Sequence, residues 1–542
     1  MGFCLMVRSL LFSFFIIFLL GCESYNNVNH TPSVIGEMVD NEAWYSDANT
    51  DVLTMRVQIP VPNSALCAPH DDKFAPPRPC TFEDVQNDID GNDDYKPELH
   101  VIMSTDSFAN GLNTPNAVLK QRGNFSRTLE QKSYSIKLDS KTDLLQKQRR
   151  FQLNKHQSDR SRSKNKLAFD TFRLIPNISS LKTQFVNLYI DDVDYGLFTH
   201  VEAMREEFLN NRGWNSDDRL YNANNFIFEA ISHLLVDASG DPIDPIAFES
   251  VLEIKNGDNH SNVDAMVKAI DQTDNIDDVI AKYFNRENYI TWLASNLVFA
   301  NQDTVQHNFF LYNPLYSTVF YFLPWDYDGA WAKAANLGKN EYGIAVWWNS
   351  PLHRKFLSVA RNRNDVYARA DQLRLDYIST VNLQSNLDAY ANTIEPFIIS
   401  LPDSANNSLN SWTRATNDLV SSIDDNIQLY KSVIGHPMPF DQRLNYSNST
   451  LSVNWDVSVD FEGDQIVYDL NIARDYDFVD VVVSQTNIQG TSFTQDINLA
   501  PGTYYLKVTS KELNDPSHYQ ISYDRLRTVD GTKYGILAFE VQ

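Results

Sequence analysis

The sequence predicts two folded units in series, an α+β domain and then an all-β sandwich. Three patterns predict this. Residues 98–103, 117–121, 133–138, 185–190 and 196–201 alternate apolar and polar side chains, the period of strands with one buried face. Ile290, Leu293, Ala294, Leu297 and Val298 then recur at helical spacing, which makes 287–300 a core helix, and helical patterns dominate again over 352–434. Beyond Pro437, short strands return at regular intervals, the spacing of a sandwich. A chain of 542 residues is too long for one core, and its 43% hydrophobic content is ample for two.

In chain order, Arg8 precedes an unbroken apolar run over 10–20 that ends in Leu19-Leu20-Gly21-Cys22. That run is signal-peptide length and short for a bilayer span. It resembles the bacterial lipoprotein signal, so 1–21 is expected to be removed and Cys22 lipidated. The mature chain would be held at the cell envelope, on the outer membrane or cell surface. Residues 22–50 begin rich in Asn and Ser and read as a flexible tether, and 51–97 as an extension with a strand at 52–59. Within it Cys67 and Cys80 flank a Pro-rich loop, and in an oxidising compartment they form a local disulfide. The acidic run 84–94 reads as a solvated loop, because its glycine is misplaced for an EF-hand.

The α+β domain is expected over 98–436. Asp191-Asp192-Val193-Asp194-Tyr195 between two strands is a turn signal that makes them a hairpin. A basic stretch, Lys147, Arg149, Arg150, Lys155, Arg160, Arg162, Lys164 and Lys166, reads as a solvated helix face. The formal net charge of −25 repels a phosphate backbone and argues against nucleic acid as a partner. In the last unit, 445–542, alternation over 501–508 puts Tyr504, Leu506 and Val508 on one face. With Trp455 upstream, this unit resembles a fibronectin type III module.

The chemistry concentrates in Asn301-Gln302-Asp303-Thr304-Val305-Gln306-His307-Asn308, followed by strands at 309–312 and 319–323 and then Pro324-Trp325-Asp326-Tyr327-Asp328. A core helix delivers an acid and, soon after, an amide; a hairpin then brings back a second acid. Phosphoryl transfer uses one carboxylate to orient and deprotonate the attacking hydroxyl, and an Asn and another carboxylate to hold the metal on the triphosphate. Asp and Asn also populate turns for structural reasons, so spacing alone leaves both readings open.

Further segments, Leu119-Lys120-Gln121-Arg122-Gly123-Asn124-Phe125-Ser126-Arg127, Lys132-Ser133-Tyr134-Ser135-Ile136-Lys137-Leu138 and Tyr195-Gly196-Leu197-Phe198-Thr199-His200-Val201-Glu202, precede that loop. Together, and in this order, the motifs resemble the CotH kinase family of spore-coat type over about 98–434. The resemblance implies an atypical, bilobal protein-kinase-like fold. It also implies transfer of the ATP γ-phosphate to Ser or Thr of secreted or surface proteins, with Mg2+ or Mn2+. By motif, Asp303 is the catalytic acid, and Asp326 and Asn308 hold metal, with Asp328 at a second metal. Lys132 is the candidate phosphate contact with Glu202 as its ion-pair partner, and Arg122 steadies phosphate through its planar fork. His307 reads as structural. The competing reading is a non-catalytic surface adhesin or scaffold carrying an inactive kinase domain.

Overall fold

The computed structural model describes residues 38–45, 51–89, 95–333 and 338–542. The leader 1–21, the lipidation candidate Cys22 and residues 90–94 of the acidic run lie outside these. Seven strands form a closed barrel: β1 (Leu53–Gln58), β2 (Leu99–Thr105), β3 (Ala117–Gln121), β4 (Tyr134–Leu138), β5 (Arg150–Asn154), β6 (Thr183–Ile190) and β7 (Val193–Glu202), in the order β1-β2-β3-β4-β5-β7-β6. Along β2 every second residue is buried, and Leu99, Val101 and Met103 meet Leu119, Ile136, Phe151 and Leu188 inside the barrel. The β6–β7 hairpin turns at Asp191 and Asp192, both at positive φ, where short Asp side chains tolerate left-handed backbone.

Three expectations need correction here. β1 is no extension: it pairs with β2 on one side and runs parallel to β6 on the other, Leu53 opposite Val186, so a boundary at 98 would cut the barrel open. The end of the supposed tether is also packed, because Trp44 and Tyr45 are large apolar rings that bury against the domain. The basic stretch is not a solvated face, since Lys155, Arg162 and Lys166 are all buried. Burial of these cations is tolerated because carboxylates were buried with them: Lys155 Nζ lies 2.9 Å from Asp403 and Lys166 Nζ 3.0 Å from Asp170. Cys67 and Cys80 are joined by a disulfide beside a short ladder. In the acidic run, Asp84 is buried, completes the capping box of a short helix by accepting the Thr81 N–H, and accepts from Arg78.

Helix α1 (Lys164–Phe172) lies between β5 and β6, and after the barrel come a sheet of β8 (Arg219–Ala223), β9 (Leu252–Asn256), β10 (Phe309–Asn313) and β11 (Tyr321–Pro324), and the long helices α2 (Arg286–Val298), α3 (Ala360–Asp376), α4 (Thr380–Ile398) and α5 (Leu409–Ser432). Every residue of α2 from Asn288 onward is buried. A helix enclosed on all sides makes a rigid mount for whatever follows it. Among the described residues no helix is long and apolar enough to cross a membrane.

Among the described residues the last unit holds a two-stranded ladder of Arg525–Thr528 with Gly531–Tyr534 and two larger antiparallel sheets. One is β12 (Gln442–Ser447), β13 (Thr450–Trp455) and β16 (Ser492–Asp496); the other is β14 (Ile466–Ala473), β15 (Val481–Ile488), β17 (Gly502–Glu512), β18 (Tyr519–Ile521) and β19 (Leu537–Val541). Leu451, Val453 and Trp455 of the first share a core with Leu470, Ile472, Tyr504, Leu506 and Val508 of the second. This unit docks on residues 338–348: Asn340 Nδ2 donates to the Ser522 carbonyl at 2.8 Å, and Arg525 pairs with Glu341 at 2.5 Å.

Burial also holds His353 neutral down to about 3 and His200 down to about 4. An unfolded histidine takes its proton near pH ~6.5, so on acidification the unfolded chain binds these protons first. Stability should therefore fall between pH ~6.5 and 4, by about 1.4 kcal/mol per pH unit for each histidine. A melting temperature that stayed level from pH ~6.5 to 4.5 would contradict this.

Candidate active site

The register of the β10–β11 hairpin sets the geometry. Phe309 lies opposite Pro324, so Asn308, just before β10, and Asp326, just after β11, sit at the same end. Both adopt positive φ, +61° and +51°. Two non-glycine residues held in left-handed backbone cost energy that the surrounding packing must meet, and such residues cluster at functional sites. The packing is visible: Tyr327 is buried in edge contact with Phe169, Phe172 and Phe299, and its hydroxyl donates to Asn296 on α2 at 2.8 Å.

Asp303 follows α2 by a short turn. Its two carboxylate oxygens lie 2.7 Å from His307 Nε2 and 2.7 Å from Asn308 Nδ2, so the carboxylate is aimed and half exposed. Gly329 passes so close that a methyl group there would come within 3.1 Å of Asp303 Cβ. The hydrogen bond His307 donates to Asp303, reinforced by the charges of Asp303 and Asp326, raises the His307 imidazole above its ordinary range. Asp303, Asn308 and Gly329 therefore meet, with Asp326 near enough for its charge to act on His307.

Asp326 is only partly exposed, and burial with the adjacent Asp328 charge pushes its carboxyl well up, against Arg122, Asn165 and His156. Burial pushes Asp328 the same way, but His156, Lys164 and Arg122 outweigh it and hold that carboxyl low. Water still reaches Asp328, whose side chain is 47% exposed, so these directions describe a recess and not a sealed core. Two adjacent carboxylates, one of them partly buried, make a strong field for a cation.

Several contributors were not anticipated. Asn165, in the first turn of α1, donates from Nδ2 to Asp326 at 3.2 Å and accepts the Tyr327 N–H at 2.6 Å. Lys164 donates to the carbonyls of Asp328 and Ala330, and His156 Nδ1 lies 3.8 Å from Asp328. The basic stretch was the one signal of these, and it stood out only because the chain is otherwise acidic. Nothing in the sequence marks Asn165.

Burial lowers the Arg122 guanidinium from its ordinary range, and the charges of Asp326 and Asp328 act against that shift. Lys132 and Glu202 are not brought together, which corrects the expected pair. Lys132 Nζ donates to the Arg127 carbonyl, and Asp88 is the acid whose charge it senses. Glu202 is buried and takes two bonds from Arg212, each 3.0 Å, plus the Lys182 N–H and the Trp44 indole. The reason is topological: Glu202 ends β7 beside the segment that leads to Arg212, while Lys132 precedes β4.

Residues 119–434 match the family model described as CotH kinase protein. Inner spore coat protein H of Bacillus subtilis (strain 168) is 23% identical over 294 residues, covering 52% of this chain and 77% of that protein. Among solved structures, the complex of HipA, HipB and operator DNA from the toxin–antitoxin system of Shewanella oneidensis MR-1 aligns with a TM-score of 0.25 and 12% identity. The alignment covers 62% of this chain and 65% of that chain, a likeness too weak to carry an argument.

Proposed function

The chain belongs to the CotH kinase protein family, and from that premise we propose that it is an extracytoplasmic protein kinase that phosphorylates Ser or Thr of secreted or surface proteins. The observation that carries the proposal is the convergence of Asp303, Asn308 and Asp326 at one end of the β10–β11 hairpin. The barrel and the helical part are read as the two lobes of a kinase-like domain, and the last unit as a β-sandwich resembling fibronectin type III. A lipid at Cys22 would hold the protein at the outer membrane or cell surface.

The donor set fits a divalent ion: Asp326 and Asp328 offer carboxylate oxygens and Asn308 an amide oxygen, the hard donors that Mg2+ and Mn2+ take. When bound, ATP with its metal supplies the γ-phosphoryl group and the charge neutralisation that transfer requires. The residues of the chain do the rest. Arg122 faces the same acids and suits the phosphate oxygens. Asp303 orients the substrate hydroxyl and takes its proton, while His307 and Asn308 keep the carboxylate pointed.

The alternative, a non-catalytic adhesin or scaffold, is favoured by one observation, the commitment of Glu202 to Arg212 in place of Lys132. A ligand that binds only the folded state raises the melting temperature, by about 2.7 kcal/mol of added stability at a hundredfold excess over Kd. ATP with Mg2+ or Mn2+ should raise it for the wild type and not for Asp326→Asn. γ-Labelled ATP offered to envelope extract should label protein bands. No shift and no label with either metal would leave the scaffold.

A further inference from the structure

At the joint between the two units, residues 460–464 read Asp-Phe-Glu-Gly-Asp. Asp460 Oδ1 accepts the N–H groups of Glu462, Gly463 and Asp464 at 2.8, 2.7 and 3.1 Å, which curls the loop back on itself. Glu512, at the end of β17, faces it. One carboxylate oxygen from each of Asp460, Asp464 and Glu512 lies within 4.8 Å of the other two.

Exposed acids often cluster without consequence, so proximity alone decides nothing. Two further facts do decide. The second oxygen of Asp460, Oδ2, is sealed from solvent and has no hydrogen-bond partner among the described residues. Glu512 is only 5% exposed, and among the described residues its carboxylate takes a single hydrogen bond, from His518 Nδ1 at 3.0 Å. Among the described residues no Lys or Arg pairs with any of the three acids, and His518 answers only one of them. A carboxylate oxygen cut off from water and from every donor is costly, and native structures place an ion or a water at such a point.

We propose that Asp460, Asp464 and Glu512 form a Ca2+ site, separate from the metal site of phosphotransfer. Ca2+ takes six to eight oxygen ligands in flexible geometry, so three carboxylates with carbonyls or water complete its shell. Mg2+ demands near-octahedral geometry and gives up water reluctantly, so it binds such a loop more weakly. The site also has a consequence for the assembly of the chain. Phe461, between the two aspartates, lies 3.7 Å under the Arg363 guanidinium of α3 and 5.5 Å from the Trp348 ring. Closing the loop on an ion fixes that aromatic wedge, and so fastens the last unit to the domain that carries the active site.

The test uses the full chain, stripped by chelator and titrated with CaCl2 without nucleotide. Calorimetry should show one site and a rise in melting temperature. E512Q and D464N should weaken binding by about tenfold or more, the scale of losing one charged ligand. The Asp464 side chain is exposed and accepts no hydrogen bond that holds the loop, so D464N should fold as the wild type does. D326N should bind Ca2+ unchanged, which separates this site from the proposed kinase metal. Failure of the wild type to bind at millimolar Ca2+, equal binding by D464N and E512Q, loss in D326N alone, or Mg2+ binding as tightly as Ca2+ would each overturn the proposal.

Discussion

Replacing Asp303 with Ala is expected to slow phosphotransfer by roughly two to four orders of magnitude while leaving ATP and metal binding intact. The carboxylate is half exposed, so removing it opens no cavity in the core, and His307 and Asn308 keep solvent access once it is gone. What disappears is the group that orients and deprotonates the attacking hydroxyl. Asp326→Asn should behave differently: it removes one of two adjacent carboxylates, so transfer and the metal-dependent rise in melting temperature should vanish together. Single-turnover rates and thermal shifts on the two variants separate these outcomes. A fully active Asp303→Ala would remove the assignment of that residue.

Glu202→Ala is expected to cost about 3–5 kcal/mol of stability, the penalty for leaving a buried charge without its partner. Arg212 is enclosed and takes its main ionic support from Glu202, at 3.0 Å, with Asp40 3.2 Å from its Nε. Without Glu202, the Lys182 N–H and the Trp44 indole also lose their shared acceptor. The loss should appear as a lowered denaturation midpoint. At temperatures where the variant stays folded, its apparent affinity for ATP should match that of the wild type. A variant as stable as the wild type but unable to bind ATP would restore Glu202 to the nucleotide site.

These outcomes trace what could be read without coordinates. The range 117–121 is a strand observed, because period two survives any tertiary setting that buries one face. The core helix was legible within two residues at either end, since an apolar repeat that regular has few other uses. By contrast, β8 and β9 passed unnoticed, as did β5. Arg150–Asn154 lies inside the basic stretch, whose charges read as a solvated helix face and hid the alternation of Phe151 and Leu153.

At the candidate site, the residue types and their order were legible: an acid and an amide after a core helix, then a hairpin and a second acid. Chemistry of this kind depends on local spacing, which a sequence states directly. Partnership was not legible. That Glu202 serves Arg212, that Lys155 and Lys166 are buried with Asp403 and Asp170, and that Asn165 reaches Asp326 are all choices made between elements far apart in the chain. So is the closure of the barrel by β1 on β6. Local propensity and periodicity act over a few residues. Which charge meets which is settled only when the core closes and desolvation penalises every ion left alone.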